Sequence, residues 1–158
     1  MRRRFWAFLV AALVLIVLGT AAQSYRVQEA WSTAAETASA LASAAIPLGD
    51  RLRWMAHDVV GLLDSYGALS ALTLLIALLI AGAVTRWSGH RTLVFGLAGA
   101  SGMLLLFTVL KAVLGTVGVF GARGFAGHAA QALAGMVAAL LFARLTATRS
   151  TALPGQGS

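Results

Sequence analysis

Four stretches of almost unbroken apolar residues divide this chain, and each is close to the length of a membrane span. They cover residues 5–22, 66–84, 93–114 and 129–145. A helix rises about 1.5 Å per residue and the hydrocarbon core of a bilayer is about 30 Å thick, which requires roughly 20 residues per span. The pattern therefore predicts an all-α, polytopic membrane protein with four transmembrane helices in a single membrane domain.

The first apolar stretch also fits a second interpretation. It follows three consecutive arginines and ends in Thr20-Ala21-Ala22, a small-x-small pattern that is typical of a signal-peptide cleavage site. Cleavage there would leave three spans and an exported N-terminus. We expect a retained helix, with cleavage as the alternative.

Residues 23–65 form the polar part of the chain and hold all five of its acidic residues. Small and apolar residues recur at spacings of four and three between residues 27 and 45, which predicts a helix with one apolar face that ends near Pro47. Asp50 is placed to cap a second amphipathic helix. We expect both helices to lie on the membrane surface or against the spans, and a partner-binding or coiled-coil role is the alternative. The polar tail, residues 146–158, is expected to be disordered.

Composition supports the membrane class and excludes several kinds of chemistry. The chain is 59% hydrophobic and 11% charged, whereas soluble domains are about one-quarter charged. It contains no cysteine, which excludes disulfides, thiolate catalysis, iron–sulfur clusters and zinc-thiolate sites. A net charge of +7 would suit a nucleic-acid partner, but its distribution indicates membrane orientation instead, and we expect no nucleic-acid partner.

Arginine positions predict the orientation of the four spans. Cytoplasmic loops of membrane proteins carry an excess of Lys and Arg. Seven arginines and no acidic residue fall on the side that holds both termini: Arg2, Arg3, Arg4, Arg86, Arg91, Arg144 and Arg149. The sequence therefore predicts a multi-pass protein of a bacterial inner membrane, with the N-terminus and the C-terminus in the cytoplasm.

Small residues form a ridge on each of the last two spans. Close backbone approach at small residues is a main source of helix association in lipid. The predicted packing residues are Gly96, Gly99 and Gly102 on the third span and Ala130, Ala134, Gly135 and Ala138 on the fourth. They predict a tight antiparallel hairpin of these two spans, and self-association through the same faces is the alternative.

A glycine-rich connector, residues 115–127, joins the last two spans, with glycine at every third position. It is predicted to be a plain loop, or alternatively a re-entrant segment that lines an outer cavity. Lys111, Arg123, His128 and Gln131 stand around it. If these side chains converge, they would form a site for the phosphate of a lipid; otherwise they are separate interfacial anchors.

Lys111 followed by the Phe125-Ala126-Gly127-His128 sequence resembles part of the membrane-bound phosphatidic-acid phosphatase superfamily. In that family a Lys-Arg-Pro motif precedes Pro-Ser-Gly-His, and a later motif carries the nucleophilic histidine. Here the Arg-Pro pair is missing, Phe125-Ala126 replaces Pro-Ser, and the third motif is absent. The resemblance implies an acid role for His128 but supplies no nucleophile, and we do not expect an active phosphatase. More broadly, the layout is similar to uncharacterised four-helix inner-membrane proteins of Gram-negative bacteria.

Metal, haem and transport chemistry have less support in the sequence. His57 and His128 stand on separate elements without a ligand motif, and we expect no cofactor. A conducting path would need polar residues near mid-bilayer, where the spans hold little beyond Thr73, Ser101 and Thr108. A small transporter would therefore require oligomerisation.

The leading functional expectation is a non-enzymatic accessory, assembly or scaffold subunit of the membrane. Its partners would be membrane lipids and another membrane protein or a second copy of the chain. The alternative is a protein that binds a lipid phosphate or another amphiphile in an outer-leaflet pocket around Lys111, Arg123 and His128. A small oligomeric transporter is the third possibility.

Overall fold

The computed structural model of the protein describes residues 2–38, 47–62, 66–114 and 124–147. This part of the chain forms helices and contains no strand. The helices are α1 (Arg2–Ala38), α2 (Leu48–Leu62), α3 (Ala68–Ser88), α4 (Arg91–Leu114) and α5 (Gly124–Thr146). Four of them, α1 and α3 to α5, are long and apolar enough to cross a membrane. The predicted all-α fold with four membrane-spanning helices is confirmed.

The four long helices form an antiparallel bundle in which α1 and α4 begin at the end where α3 and α5 finish. Two side-chain contacts fix this arrangement. The Arg3 guanidinium donates a 2.9 Å hydrogen bond to the carbonyl oxygen of Leu145, and the Arg91 guanidinium donates to the Thr146 hydroxyl. We call this the arginine end, because it gathers six arginines: Arg2, Arg3, Arg4, Arg86, Arg91 and Arg144.

The first helix is longer than the sequence pattern predicts. α1 continues without a break from Arg2 to Ala38, a stretch of 37 residues, or about 55 Å. The predicted boundary at residues 22 and 23 therefore marks a change of hydropathy inside one helix. Residues 20–38 contain neither glycine nor proline, and polar residues such as Gln and Glu keep good helix propensity. For this reason the helix does not end where the apolar run ends.

The second helix packs mainly against α1. α2 begins at Leu48, and the N–H of Asp50 donates a 3.1 Å hydrogen bond to the carbonyl oxygen of Pro47. Asp50 therefore lies inside the first turn, which corrects its predicted position as the capping residue. A carboxylate in a first turn still interacts favourably with the helix dipole.

The remaining spans also extend past their predicted ends. α3 runs to Ser88 where the sequence predicted an end at residue 84, and the polar turn shortens to Gly89-His90. Gly89 has a φ of 69°, a left-handed conformation that ends a helix readily at glycine. α5 begins at Gly124 rather than at residue 129. Most of the glycine-rich connector, residues 115–123, lies outside the described residues.

α4 and α5 form the most extensive helix pair of the bundle, and they cross at Gly99 and Gly135. A Cβ added to Gly99 would overlap the Gly135 carbonyl oxygen, and a Cβ added to Gly135 would overlap that of Gly99. Ala134 and Ala138 on α5 are buried in the same core. Gly96 also faces α5, where its Cβ position lies 3.2 Å from the Leu140 side chain.

Gly102 does not belong to the α4–α5 contact. Its Cβ position lies 3.2 Å from the Ala77 side chain on α3. Each residue of a helix is rotated by about 100° from the one before it. Gly96 and Gly102 are six residues apart and therefore point about 120° apart. Ala130 is only partly buried. The small-residue ridge of the third span is therefore shared between two neighbouring helices.

Aromatic side chains mark the two ends of the bundle. Trp87 near the arginine end is 94% exposed, and Phe125 at the opposite end is 91% exposed. Aromatic residues concentrate at both interfaces of a membrane. Between them, the core is filled by large side chains that are almost fully buried, including Leu15, Leu74 and Phe107.

Candidate functional site

A buried polar cluster joins three helices at the end of the bundle opposite the arginines. The Tyr66 hydroxyl, just before α3, donates a 2.6 Å hydrogen bond to Oε1 of Gln131 on α5. Nε2 of Gln131 in turn donates a 2.9 Å hydrogen bond to the Gly19 carbonyl oxygen on α1. Gln131 is 1% exposed and Tyr66 is 4% exposed. The cluster thus connects α1, α3 and α5 through side chains that are shielded from solvent.

Gly19 makes this cluster possible. A Cβ at Gly19 would overlap the Tyr66 hydroxyl and would lie 2.8 Å from Oε1 of Gln131. A glycine at this position lets two polar side chains approach the α1 backbone closely. The first span therefore carries a packing residue that the sequence pattern did not single out.

The buried face of α1 changes character at this level. Toward the arginine end it presents Ala7, Ala11 and Leu15, and beyond Gly19 it presents a polar stripe. The polar stripe consists of Thr20, Ser24 and Gln28, all at most 4% exposed. A spacing of four residues keeps these side chains on one face of a helix.

Two further hydroxyls in this region, those of Thr20 and Ser70, are fully buried. Both belong to residue types that tolerate helix interiors in membranes. Together with the Tyr66–Gln131–Gly19 contacts they make a neutral polar layer. Hydroxyl and amide groups in such a layer hold helices at a fixed relative height.

Sequence reasoning identified only one member of the cluster. It suggested Gln131 as a member of an outer anion site. In the structure, the oxygen and the nitrogen of the Gln131 side-chain amide both form hydrogen bonds with protein groups inside the bundle. Sequence reasoning did not identify Tyr66, Ser70 or the α1 stripe. The signal that could have found them is the four-residue spacing of Thr20, Ser24 and Gln28, and the matching spacing of Tyr66 and Ser70.

The other predicted pocket residues take different positions. Lys111 lies in the last turn of α4 with an exposed side chain. The His128 Nδ1 lies 2.8 Å from the Gly124 carbonyl oxygen in its own helix, and its ring stands edge-on to Phe107 with centroids 6.1 Å apart. Arg123 lies outside the described residues. Gln131 is therefore bonded inside the bundle, and the anion site predicted around Lys111, Arg123 and His128 stays a prediction.

The far half of α1 and the whole of α2 form a second feature, which we call the α1–α2 hairpin (residues 20–38 and 48–62). α2 exposes Leu48 at 72%, Leu52 at 57% and Trp54 at 48%. On the α1 side, Arg26 and Glu29 form an exposed ion pair at 2.8 Å. The hairpin therefore combines a polar surface with exposed apolar side chains beyond the level of the buried cluster.

The described residues contain no cluster of potential metal ligands. No group of three His, Asp or Glu side chains is close enough there to hold a metal ion. His57 is an exposed residue of α2, while His128 lies against the bundle core.

No protein-family model, curated protein or solved structure matches this chain.

Proposed function

We propose that the protein is a non-enzymatic accessory or scaffold subunit of a bacterial inner membrane, with both termini in the cytoplasm. The single observation that supports this proposal best is the α1–α2 hairpin. It extends one span of the bundle by about two turns or more beyond the polar cluster and carries apolar side chains that the other described residues leave exposed.

The interior of the bundle supports the same proposal. Its polar side chains bond to one another across helices, as Tyr66 and Gln131 do, and the backbones of Gly99 and Gly135 leave no room for a side chain between α4 and α5. Such an interior maintains a rigid bundle. The surface of the hairpin is then the part that can contact another molecule.

In this proposal, the α1–α2 hairpin contacts an apolar helix of a second membrane protein. Leu48 and Leu52 are four residues apart and share one face of α2, which is the spacing that helix-in-groove contacts use. His57 and Gly61 lie on the other side of α2, which also carries Trp54, and are also exposed. In this proposal the partner contacts the side that carries Leu48 and Leu52. The two sides of α2 therefore provide a test surface and a control surface on one helix.

The orientation within the proposal follows from the arginine end. Six arginines gather there, while all five acidic residues of the chain lie between residues 29 and 64. The side of a membrane protein that is rich in Lys and Arg faces the cytoplasm. The hairpin would then lie on the periplasmic side.

Native electrophoresis after mild detergent extraction from the protein's own membranes tests the proposal. We expect the 16.3 kDa chain to migrate in a complex with a different protein at a fixed ratio. The double variant Leu48→Arg with Leu52→Arg should release it, because two charges on the apolar face oppose burial. The control, His57→Arg with Gly61→Arg, adds the same number of arginines on the other side of α2 and should retain the complex.

Three results would contradict the proposal. The first is a chain that migrates alone in the unchanged protein. The second is a complex that contains only copies of this chain, and the third is equal loss of the complex in the control variant.

A further inference from the structure

A groove opens between α1 and α3 at the arginine end of the bundle, with α4 and α5 as its floor. Its volume is about 720 Å³, within the range of pockets that hold drug-sized ligands. The residues that matter for its chemistry are Arg4, Arg86 and Arg91 at the mouth and Phe8, Leu78 and Phe95 along the walls. α1 and α3 contact each other less than either contacts its other bundle neighbour, which leaves the space between them.

The mouth of the groove is strongly positive. Arg4 and Arg86 are exposed, and neither forms an ion pair with any described residue; the ion pair found in the described chain is Arg26 with Glu29. All acidic residues of the chain lie between residues 29 and 64, away in sequence from Arg4, Arg86 and Arg91. Three guanidinium groups at one rim, without a carboxylate, form a site that favours a phosphate group.

Arg91 is held in place by contacts with α5 and with Phe95. Its Nη2 donates to the Thr146 hydroxyl and lies 3.4 Å from the Ala143 carbonyl oxygen. Its guanidinium carbon lies 5.0 Å from the centre of the Phe95 ring, a cation–π contact. Its Nε is buried and has no hydrogen-bond partner within the described residues. The protein therefore holds the Arg91 charge in a fixed position beside the groove.

The depth of the groove matches one leaflet of a bilayer. Along α3 it extends from Arg86 to Leu75, eleven residues or about 16 Å. Half of a hydrocarbon core is about 15 Å. The walls over this distance are mainly Phe, Leu, Gly and Ala, which suits an acyl chain. A charged rim above an apolar channel of this length is complementary to a phospholipid.

We propose that this groove binds one anionic phospholipid, with its phosphate at Arg4, Arg86 and Arg91 and an acyl chain between α1 and α3. Basic pockets between transmembrane helices on the side rich in Lys and Arg bind anionic head groups in this way. The proposal concerns the opposite end of the bundle from Lys111 and His128. It is independent of the partner proposed for the α1–α2 hairpin.

Native mass spectrometry of the purified protein with added lipid tests the charged rim. The probe is phosphatidylglycerol, and phosphatidylcholine is the comparison lipid. We expect preferential binding of one phosphatidylglycerol. The variant Arg4→Gln with Arg86→Gln should weaken it by about fivefold per arginine, or about 25-fold in all. The control, Arg2→Gln with Arg144→Gln, removes the same charge from the same end outside the groove and should change binding less than threefold, since only long-range attraction is lost.

A second variant tests the apolar channel without a change of charge. Gly82 lines the groove, and a Cβ at Gly82 meets no atom within 4 Å. Gly82→Phe should therefore fill the channel and reduce phosphatidylglycerol binding by at least tenfold while the helix content of the protein is unchanged. Gly61→Phe, also at an open position, is the control on α2 and should bind as the unchanged protein does.

Four results would overturn the proposal. They are equal binding of phosphatidylcholine, equal weakening by the Arg2 and Arg144 control, normal binding by Gly82→Phe, and full displacement of the lipid by inorganic phosphate. Normal binding by Gly82→Phe would place the lipid at the charged rim alone, and displacement by phosphate would show that the acyl chain adds nothing. Release of a protein partner by variants of α2 would leave all of these measurements unaffected.

Discussion

The backbones of Gly99 on α4 and Gly135 on α5 meet so closely that neither residue has room for a side chain. A Cβ at Gly99 would lie 2.6 Å from the Ala139 Cβ, and a Cβ at Gly135 would lie 2.6 Å from the Met103 Cγ. Real Cβ atoms do not approach other atoms this closely. The pairing of the last two helices therefore depends on both glycines.

Gly99→Ala should destabilise the bundle, because one added methyl group forces the two helices apart. We expect a loss of about 1–3 kcal/mol, the usual range for overpacking. The matched control is Gly82→Ala, which makes the same exchange in α3 at an open position. Unfolding in mixed detergent micelles, followed by the fluorescence of the four tryptophans, measures both variants. Equal stability of the two variants would contradict the close contact.

The hydrogen bond between Tyr66 and Gln131 can be measured with a double-mutant cycle. Tyr66→Phe and Gln131→Leu should each destabilise the protein, and together they should cost less than the sum. The expected coupling is about 0.6 kcal/mol, a typical value for hydrogen bonds between membrane helices. Tyr25→Phe is the control, since Tyr25 is 54% exposed and its hydroxyl can bond to water. A coupling near zero would show that the bond contributes nothing to stability.

Proline at position 22 tests whether α1 is one helix. A proline there removes one helical hydrogen bond and clashes with the preceding turn, which costs about 3 kcal/mol or more in a helix interior. Ala22→Gly is the graded control and should cost about 1 kcal/mol. Circular dichroism and the unfolding midpoint in detergent give both values. If the helix ended near residue 22, as the hydropathy pattern suggested, proline would be tolerated there.

Single cysteines can test the proposed orientation, because the chain contains no cysteine of its own. Trp87 and Phe125 are highly exposed residues at opposite ends of the bundle. In intact cells an impermeant maleimide should label Phe125→Cys, and Trp87→Cys should react only after the membrane is opened. The unchanged protein gives the background. The reverse labelling pattern would place the arginine end outside the cell.

The number and class of the helices could be predicted because apolar length alone determines whether a segment spans a bilayer. Helix ends were less predictable. Residues 20–38 are polar enough to leave the hydrocarbon, yet they keep helical propensity, and hydropathy cannot distinguish those two properties. The turn at Gly89 was predicted in the correct place, but Arg86 and Trp87 proved to belong to the last turn of α3, where a polar side chain can reach the membrane interface.

The polar cluster could not be predicted in full, because its members come from three helices and are far apart in the sequence. Tyr66 and Gln131 are 65 residues apart, and Gln131 and Gly19 are 112 residues apart. Their contact depends on the relative height and rotation of the helices. The connector residues that the sequence made most prominent fall largely outside the described part of the chain, and the prediction for Arg123 stays a prediction.

The uneven distribution of charge along the bundle gives the two possible insertion topologies different energies in a membrane that carries a potential. Six arginines stand at one end, and moving one elementary charge across a membrane changes its energy by about 2.3 kcal/mol per 100 mV. In any energised membrane the arginine end is drawn to the electrically negative face. At 100 mV the difference between the two insertions is then about 14 kcal/mol, which is comparable to the usual stability of a folded domain, about 5–15 kcal/mol. Loss of the membrane potential during insertion should therefore produce a larger fraction of inverted protein than any single arginine substitution does.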